Sequence, residues 1–185
     1  MMKGLLFFLL VCTPPANAHL NIDLKPEYDN SYTSDVDPFA PKGLKNAYLS
    51  SVVIEIMNEV GVSTGSGSGN YFKIGKHRFI LTAAHVVSGE DYILIIERGF
   101  NMVEAEVVYI DHNSDIAILI PKEKLQYTKP VKFRRDINNQ MGEKVYHCGH
   151  PAREGWHISE GLLTGVHSEV LMINTFAWRD RDWET

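Results

Sequence analysis

Short apolar runs rich in Val, Ile and aromatic residues recur at 48–57, 71–74, 77–82, 92–97, 102–110 and 116–120, and no other feature limits the possible folds as much. Turn formers separate them: Gly75 after the second run and Arg98-Gly99-Phe100-Asn101 between the fourth and fifth. Runs of this length and composition read as β-strands. Several such strands joined by short turns are the signature of a small closed β-barrel. Closure matters for function because it removes sticky strand edges and holds the loop ends rigidly. Composition agrees with a globular protein: 185 residues, 44% hydrophobic and 22% charged. A chain of this length makes one ordinary domain or two small barrels sharing a cleft.

Two strand ends carry chemistry. Phe79-Ile80-Leu81-Thr82-Ala83-Ala84-His85-Val86-Val87 runs from an apolar strand through two alanines to an imidazole. The small residues allow a sharp turn, and a histidine held there can take a proton near neutral pH. The plain alternative is a histidine packed on the first turn of a helix. Asp111-His112-Asn113-Ser114-Asp115-Ile116-Ala117-Ile118-Leu119-Ile120 delivers a carboxylate at the mouth of another apolar strand. By itself Asp115 reads as a turn residue bonding its own backbone. A basic histidine, however, needs an acidic partner that fixes its tautomer and stabilises the imidazolium.

Together the two segments resemble the chymotrypsin-like serine proteases, and within them the HtrA-related bacterial and viral branch. The resemblance implies that Thr82-Ala83-Ala84-His85 carries the general base and that Asp115-Ile116-Ala117-Ile118-Leu119 carries the orienting aspartate, in the family's order. It also implies an all-β, chymotrypsin-like double β-barrel. The first barrel is expected to be nearly complete and the second incomplete. Gly142-Glu143-Lys144-Val145-Tyr146-His147-Cys148-Gly149-His150-Pro151 is similar to the family's Gly-x-x-Val-x-x-x-Gly-x-Pro element that opens the second barrel. Strands are expected at 156–166 and 169–175, with a hint of one at 130–133. The Gly-Ser run at 61–69 looks like a linker by composition. The resemblance places a Gly-Ser-Gly segment in the strand before the histidine instead, where small residues permit tight bends. Val86 stands where many secreted relatives carry a bridging cysteine.

After Met172-Ile173-Asn174-Thr175-Phe176-Ala177-Trp178 the family pattern calls for a Gly-x-Ser-Gly turn supplying the nucleophile and oxyanion hole. The sequence reads Arg179-Asp180-Arg181-Asp182-Trp183-Glu184-Thr185 there, without a serine. Other nucleophiles fit poorly. Ser66 and Ser68 precede His85, against the family order. Ser159 and Ser168 lack glycine-flanked turns and read as strand or hairpin surface. Cys148 lies too early and reads as a small buried residue. His147, His150 and His157 raise a metal site, but residues three apart on a strand face opposite ways and no second cysteine completes a zinc set. No metal or cofactor is expected.

The N-terminus reads as a leader: Lys3, an apolar run over 4–11, then Ala16-Asn17-Ala18 as the cleavage pattern. The run is too short to span a bilayer core of about 30 Å. Cleavage leaves His19 first and removes Cys12, which lacks the small preceding residue of a lipid-anchored cysteine. Cys148 is then the sole thiol, so no internal disulfide is expected. The net charge is −5, or −6 without Lys3. Neither suggests the basic footprint of a nucleic-acid binder. The expected division is 1–18 signal peptide, 19–46 extended or flexible segment, 47–122 first barrel with His85 and Asp115, and 123–185 incomplete second barrel. The function expected is that of an exported (periplasmic or extracellular) serine-type endopeptidase homologue acting on a protein or peptide. It has no nucleic-acid partner and no membrane attachment after cleavage, and its oligomeric state stays open. The chain as written is expected to be inert for want of the nucleophile turn. The alternative is an exported pseudoprotease that binds a peptide or protein without cutting.

Overall fold

The computed structural model describes residues 37, 39–89, 92–132, 140–150, 155–166 and 171–174. The expected leader, the lead-in before 37, Ser168 and the segment from 175 lie outside the described residues.

Six antiparallel strands form a ring. β1 (Ser51–Met57) pairs with β2 (Ser63–Ile74) on one side and β4 (Tyr92–Ile96) on the other. β4 pairs with β5 (Met102–Asp111), β5 with β6 (Ile116–Pro121), β6 with β3 (His77–Thr82), and β3 returns to β2. The first barrel, expected to be nearly complete, is therefore closed. Alternation along the strands turns one face of each inward, and Ile54, Ile80, Ile95 and Leu119 are fully buried there. Each such side chain contributes roughly 1.5–3 kcal/mol by leaving water.

From Ser63 on the Gly-Ser run lies in β2, the strand before the histidine, as the family resemblance implied and its composition alone did not. Gly69 shows why its composition misleads. A Cβ at this position would lie 2.7 Å from Ile80 Cγ2 and 2.9 Å from Ile54 Cδ1, so only glycine fits the narrow interior.

The sequence reading is overturned at a helix, α1 (Lys42–Ser50), where an extended lead-in and then a strand from Tyr48 were expected. Pro41 precedes its first turn, a position that tolerates proline's missing N–H. Its last carbonyls are met from a distance by Arg98 on the β4–β5 hairpin. The guanidinium donates to Tyr48 O, and to Leu49 O at 2.8 Å, while lying 4.4 Å from the centre of the Tyr48 ring. A cation at a helix C-terminus satisfies the orphan carbonyls and complements the helix dipole.

Beside Arg98, Glu97 is fully buried. Its carboxylate accepts the backbone N–H groups of Gln126, Tyr127 and Thr128 at 2.8–2.9 Å and the Asn101 amide at 2.7 Å. Burial, the largest single influence, pushes this carboxyl up. The hydrogen bonds together outweigh it, and the net direction is below the ordinary value. Glu97 thereby clamps the connection leaving the barrel onto the barrel.

Beyond that connection, β7 (Val131–Lys132) pairs in parallel with β2. β8 (Lys144–Gly149), β9 (His157–Val166) and β10 (Leu171–Ile173) form a separate three-stranded antiparallel sheet in the order β10-β9-β8. No helix among the described residues is long and apolar enough to cross a membrane.

Candidate active site

The strand register brings the histidine and the aspartate together. β3 and β6 run antiparallel with Thr82 opposite Ala117 and Leu81 opposite Ile118. The chain therefore leaves β3 at the same end of the barrel where it enters β6. Three residues past Thr82 comes His85, and two before Ala117 comes Asp115. Residues thirty apart in sequence become neighbours because the ladder between them is fixed.

Local structure then sets each side chain. Ala83 is extended and Ala84–Val86 form a single 3₁₀ turn, closed by bonds from Val86 N–H to Ala83 O (3.2 Å) and from Val87 N–H to Ala84 O (3.1 Å). Ala83, Ala84, Val86 and Val87 are buried, whereas the His85 side chain is 46% exposed. The alternation of small buried residues with one exposed imidazole is what the sequence motif encodes. Asp115 sits at φ +52°, in the left-handed region that aspartate tolerates better than most residues. The turn before it is held by Asp111, whose Oδ1 accepts the N–H groups of Asn113 (3.0 Å) and Ser114 (3.4 Å). Hydrogen bonds, that of the Ser114 side chain first, hold the Asp111 carboxyl below its ordinary value.

The Asp115 carboxylate grips His85 twice. Oδ2 lies 2.6 Å from the ring Nδ1, and Oδ1 accepts the His85 backbone N–H at 3.0 Å. Burial is the largest single influence on this carboxyl and pushes it up. The bonds from His85 and from the Ala84 N–H outweigh it and keep the carboxyl below its usual range, so it is ionised at neutral pH. An ionised carboxylate only accepts hydrogen bonds, so Nδ1 is the donor, and in the neutral ring the lone pair is then on Nε2, free to take a proton from another molecule or residue. The double contact fixes ring position as well as tautomer.

The other candidates go elsewhere. Ser68 accepts the His150 N–H on its hydroxyl at 2.8 Å, and its carbonyl accepts the Thr82 hydroxyl at 3.0 Å. It thus joins the barrel to the end of β8. Ser66 lies in mid-strand opposite Glu55, and Ser159 lies opposite His147 in the β8–β9 ladder. Cys148 is buried, and burial pushes its thiol up to about 11 against smaller downward pulls from Ser51 and Arg98. A thiol with so little thiolate at neutral pH is a poor nucleophile. Burial also holds the His147 ring below its ordinary pKa. The His150 ring is buried and stands edge-on to Trp156, with centroids 5.3 Å apart. No group of three His, Cys, Asp or Glu among the described residues could hold a metal ion.

Asp111 and Ser68 are the positioning groups that sequence reading missed. Asp111 carried a signal, an aspartate two and three residues ahead of the amides it caps. Ser68 carried none, because its partners are distant in sequence.

Residues 67–185 match the trypsin-like peptidase domain family. The chain belongs to that family. Among curated proteins it is 30% identical over 112 residues to the chloroplastic Protease Do-like 1 of Arabidopsis thaliana, covering 59% of this chain and 24% of that protein. It is also 30% identical over 117 residues to a probable periplasmic serine endoprotease, DegP-like, of Brucella suis, covering 61% of this chain and 21% of that one. The chain thus matches about a quarter or less of the length of these two relatives. Among solved structures, Deg5 superposes with a TM-score of 0.58 at 18% identity, over 72% of this chain and 71% of that one. The chymotrypsin-like fold expected from the two motifs is the fold observed, and the serine-protease family expected from them is the family matched.

Proposed function

We propose that this chain carries the proton-transfer half of an exported serine-type endopeptidase. His85 acts as general base and then general acid, and Asp115 holds its ring. The reading rests on one observation above all, the 2.6 Å contact between His85 Nδ1 and Asp115 Oδ2, backed by the 3.0 Å backbone bond to the same carboxylate. In this mechanism Nε2 removes the proton from an attacking serine hydroxyl. The imidazolium so formed is stabilised by Asp115, and Nε2 then protonates the leaving amine of the cleaved peptide. The substrate is a protein or peptide, and nucleic acid plays no part.

In the same reading, residues 1–18 are a leader cleaved after Ala18, 19–46 a lead-in, 47–122 the first barrel and 123–185 the second. The mature protein works outside the cytoplasm. Residues 1–185 hold no glycine-flanked serine after Asp115. By themselves they should neither hydrolyse casein nor react with a serine-directed phosphonate, since base and orienter without a nucleophile give no acyl-enzyme.

The test has two arms. Residues 19–185 are treated with the phosphonate, and labelling would show that a nucleophile had been overlooked. The chain is then extended with the nucleophile-bearing strands of a trypsin-like relative. Casein hydrolysis that disappears in His85→Ala supports the proposal. An extended chain that binds peptide without turning it over would point to a pseudoprotease instead.

A further inference from the structure

We propose that Gly67 is a positioning residue for the His85–Asp115 pair, acting through Val86. The inference rests on the reading of that pair as the proton-transfer centre. Gly67 is buried in β2, and its missing side chain is the space into which Val86 packs. A Cβ at Gly67 would lie 2.6 Å from Val86 Cγ1, 2.8 Å from Cγ2 and 3.4 Å from Cβ. The first two distances are shorter than any van der Waals contact allows. Both branches of the valine are involved, so a rotation about χ1 exchanges one clash for the other.

Something has to move, and β2 is not free to. Gly67 is paired with Ile54 of β1. The next residue, Ser68, is tied through its carbonyl to Thr82 and through its hydroxyl to the His150 N–H. The 3₁₀ turn is the weaker side of the contact. It consists of three residues with two backbone bonds of its own, of 3.1–3.2 Å, and is otherwise held by side chains, the Ser88 hydroxyl on Ala84 O at 2.7 Å and the Asp115 carboxylate on the His85 N–H, instead of by a strand ladder. Val86 follows His85 directly, so a displaced Val86 carries the His85 backbone with it. The His85 N–H and ring Nδ1 both bond to Asp115, at 3.0 and 2.6 Å, so one shift loosens both contacts. Gly67 therefore fixes the height at which the imidazole meets its carboxylate, without touching either.

The contrast with Gly69 sharpens the assignment. A Cβ there meets Ile80 and Ile54 in the barrel interior, far from the turn in its consequences. Gly69 is required for the barrel, and Gly67 for the histidine.

The test reads the pair itself and not turnover. In the full chain, a proton on Nδ1 bonded to a carboxylate gives a far-downfield proton resonance, assigned by its loss in Asp115→Asn. We expect this resonance in the wild type, its loss or a marked upfield shift in Gly67→Ala, and its return in Gly67→Ala/Val86→Ala, where the opposing branches are gone. An unchanged resonance in Gly67→Ala overturns the inference while leaving the pair intact. Loss in Gly67→Ala without return in the double variant also overturns it, since Val86 would not be the link. If Gly67→Ala fails to fold, the double variant decides: a folded chain with the resonance supports the inference, and any other result overturns it. Absence of the resonance in the wild type overturns the reading of the pair, and this inference with it.

Discussion

The closed ring β1–β6 and the three-stranded sheet β8–β10 both expose apolar side chains on their outer faces, yet the buried apolar cluster belongs to the ring. In the ring, Ile54, Ile80, Ile95 and Leu119 are wholly shielded. In the sheet, Leu163 and Cys148 are buried, while Leu162, Val166 and Met172 are 40–52% exposed, much as Val108, Tyr109 and Ile120 are on the outside of the ring. The cause is closure. Each ring strand has partners on both edges, and its inward side chains are covered from all sides. The sheet has two outer strands among the described residues and buries a single face. A proton-transfer pair needs fixed geometry to within a fraction of an ångström. Both His85 and Asp115 are mounted on the ring, at the ends of two of its adjacent strands.

The contrast can be broken most sharply by truncating one side chain in each region. Ile54→Ala should cost about 2–5 kcal/mol of stability, because a cavity in a ring closed on all sides cannot collapse. Leu162→Ala on the exposed face of β9 should change stability by no more than about 0.5 kcal/mol. Urea unfolding of the two variants measures both, and similar losses would mean that the ring and the sheet are equally packed.

The junction between the regions comes next. Glu97→Gln keeps the shape of the side chain but replaces one accepting oxygen with an amide donor aimed at backbone N–H groups. A loss of about 1–3 kcal/mol is expected. The acid side follows from the direction of the carboxyl's shift. Glu97 is held below its ordinary value when folded, so the unfolded chain binds the proton more readily. Its stabilisation is fully present above the unfolded value of about 4.3 and fades as the pH falls through the folded one. Stability–pH curves of wild type and Glu97→Gln should therefore converge in acid. Parallel curves would show that Glu97 is not the acid-sensitive clamp.

The features legible in the sequence were those set by local pattern. Ring strands show as short runs rich in Val and Ile between turn formers, and the pair shows in Thr82-Ala83-Ala84-His85 and Asp115-Ile116-Ala117. Contacts between distant residues hid the rest. The helix α1 gains its C-terminal partner from Arg98, about fifty residues away, and its last residues Tyr48-Leu49-Ser50 look like a continuation of the Val/Ile strand that follows. Glu97 reads as a polar strand end, since its three backbone donors come from 126–128. By composition alone the Gly-Ser segment of β2 reads as a linker, and only the family resemblance placed it in a strand, because glycine's use there, close approach by Ile80, Ile54 and Val86, exists only once the ring has formed. Asp115's left-handed backbone likewise depends on a turn whose cap, Asp111, is an ordinary aspartate by composition.

In the proposed function, Asp115 holds His85 as the base of a serine-type hydrolysis. Turnover of casein by the chain extended with a nucleophile-bearing segment, with and without Asp115→Asn, tests it most directly. Asparagine tolerates the left-handed backbone of this position, so the fold should be kept. Its amide would present the wrong hydrogen-bonding partner to Nδ1 and turn the ring's lone pair away from the serine. The proposed mechanism predicts a retained cooperative fold, with at most a small loss of stability from the carboxylate's bonds, and a fall in turnover on the order of 10⁴-fold, the size of loss known for such a change in a serine protease triad. Turnover within about twofold of the parent, in a variant shown to be folded, would contradict it, because the aspartate gripping His85 would then be structural and the base would lie elsewhere.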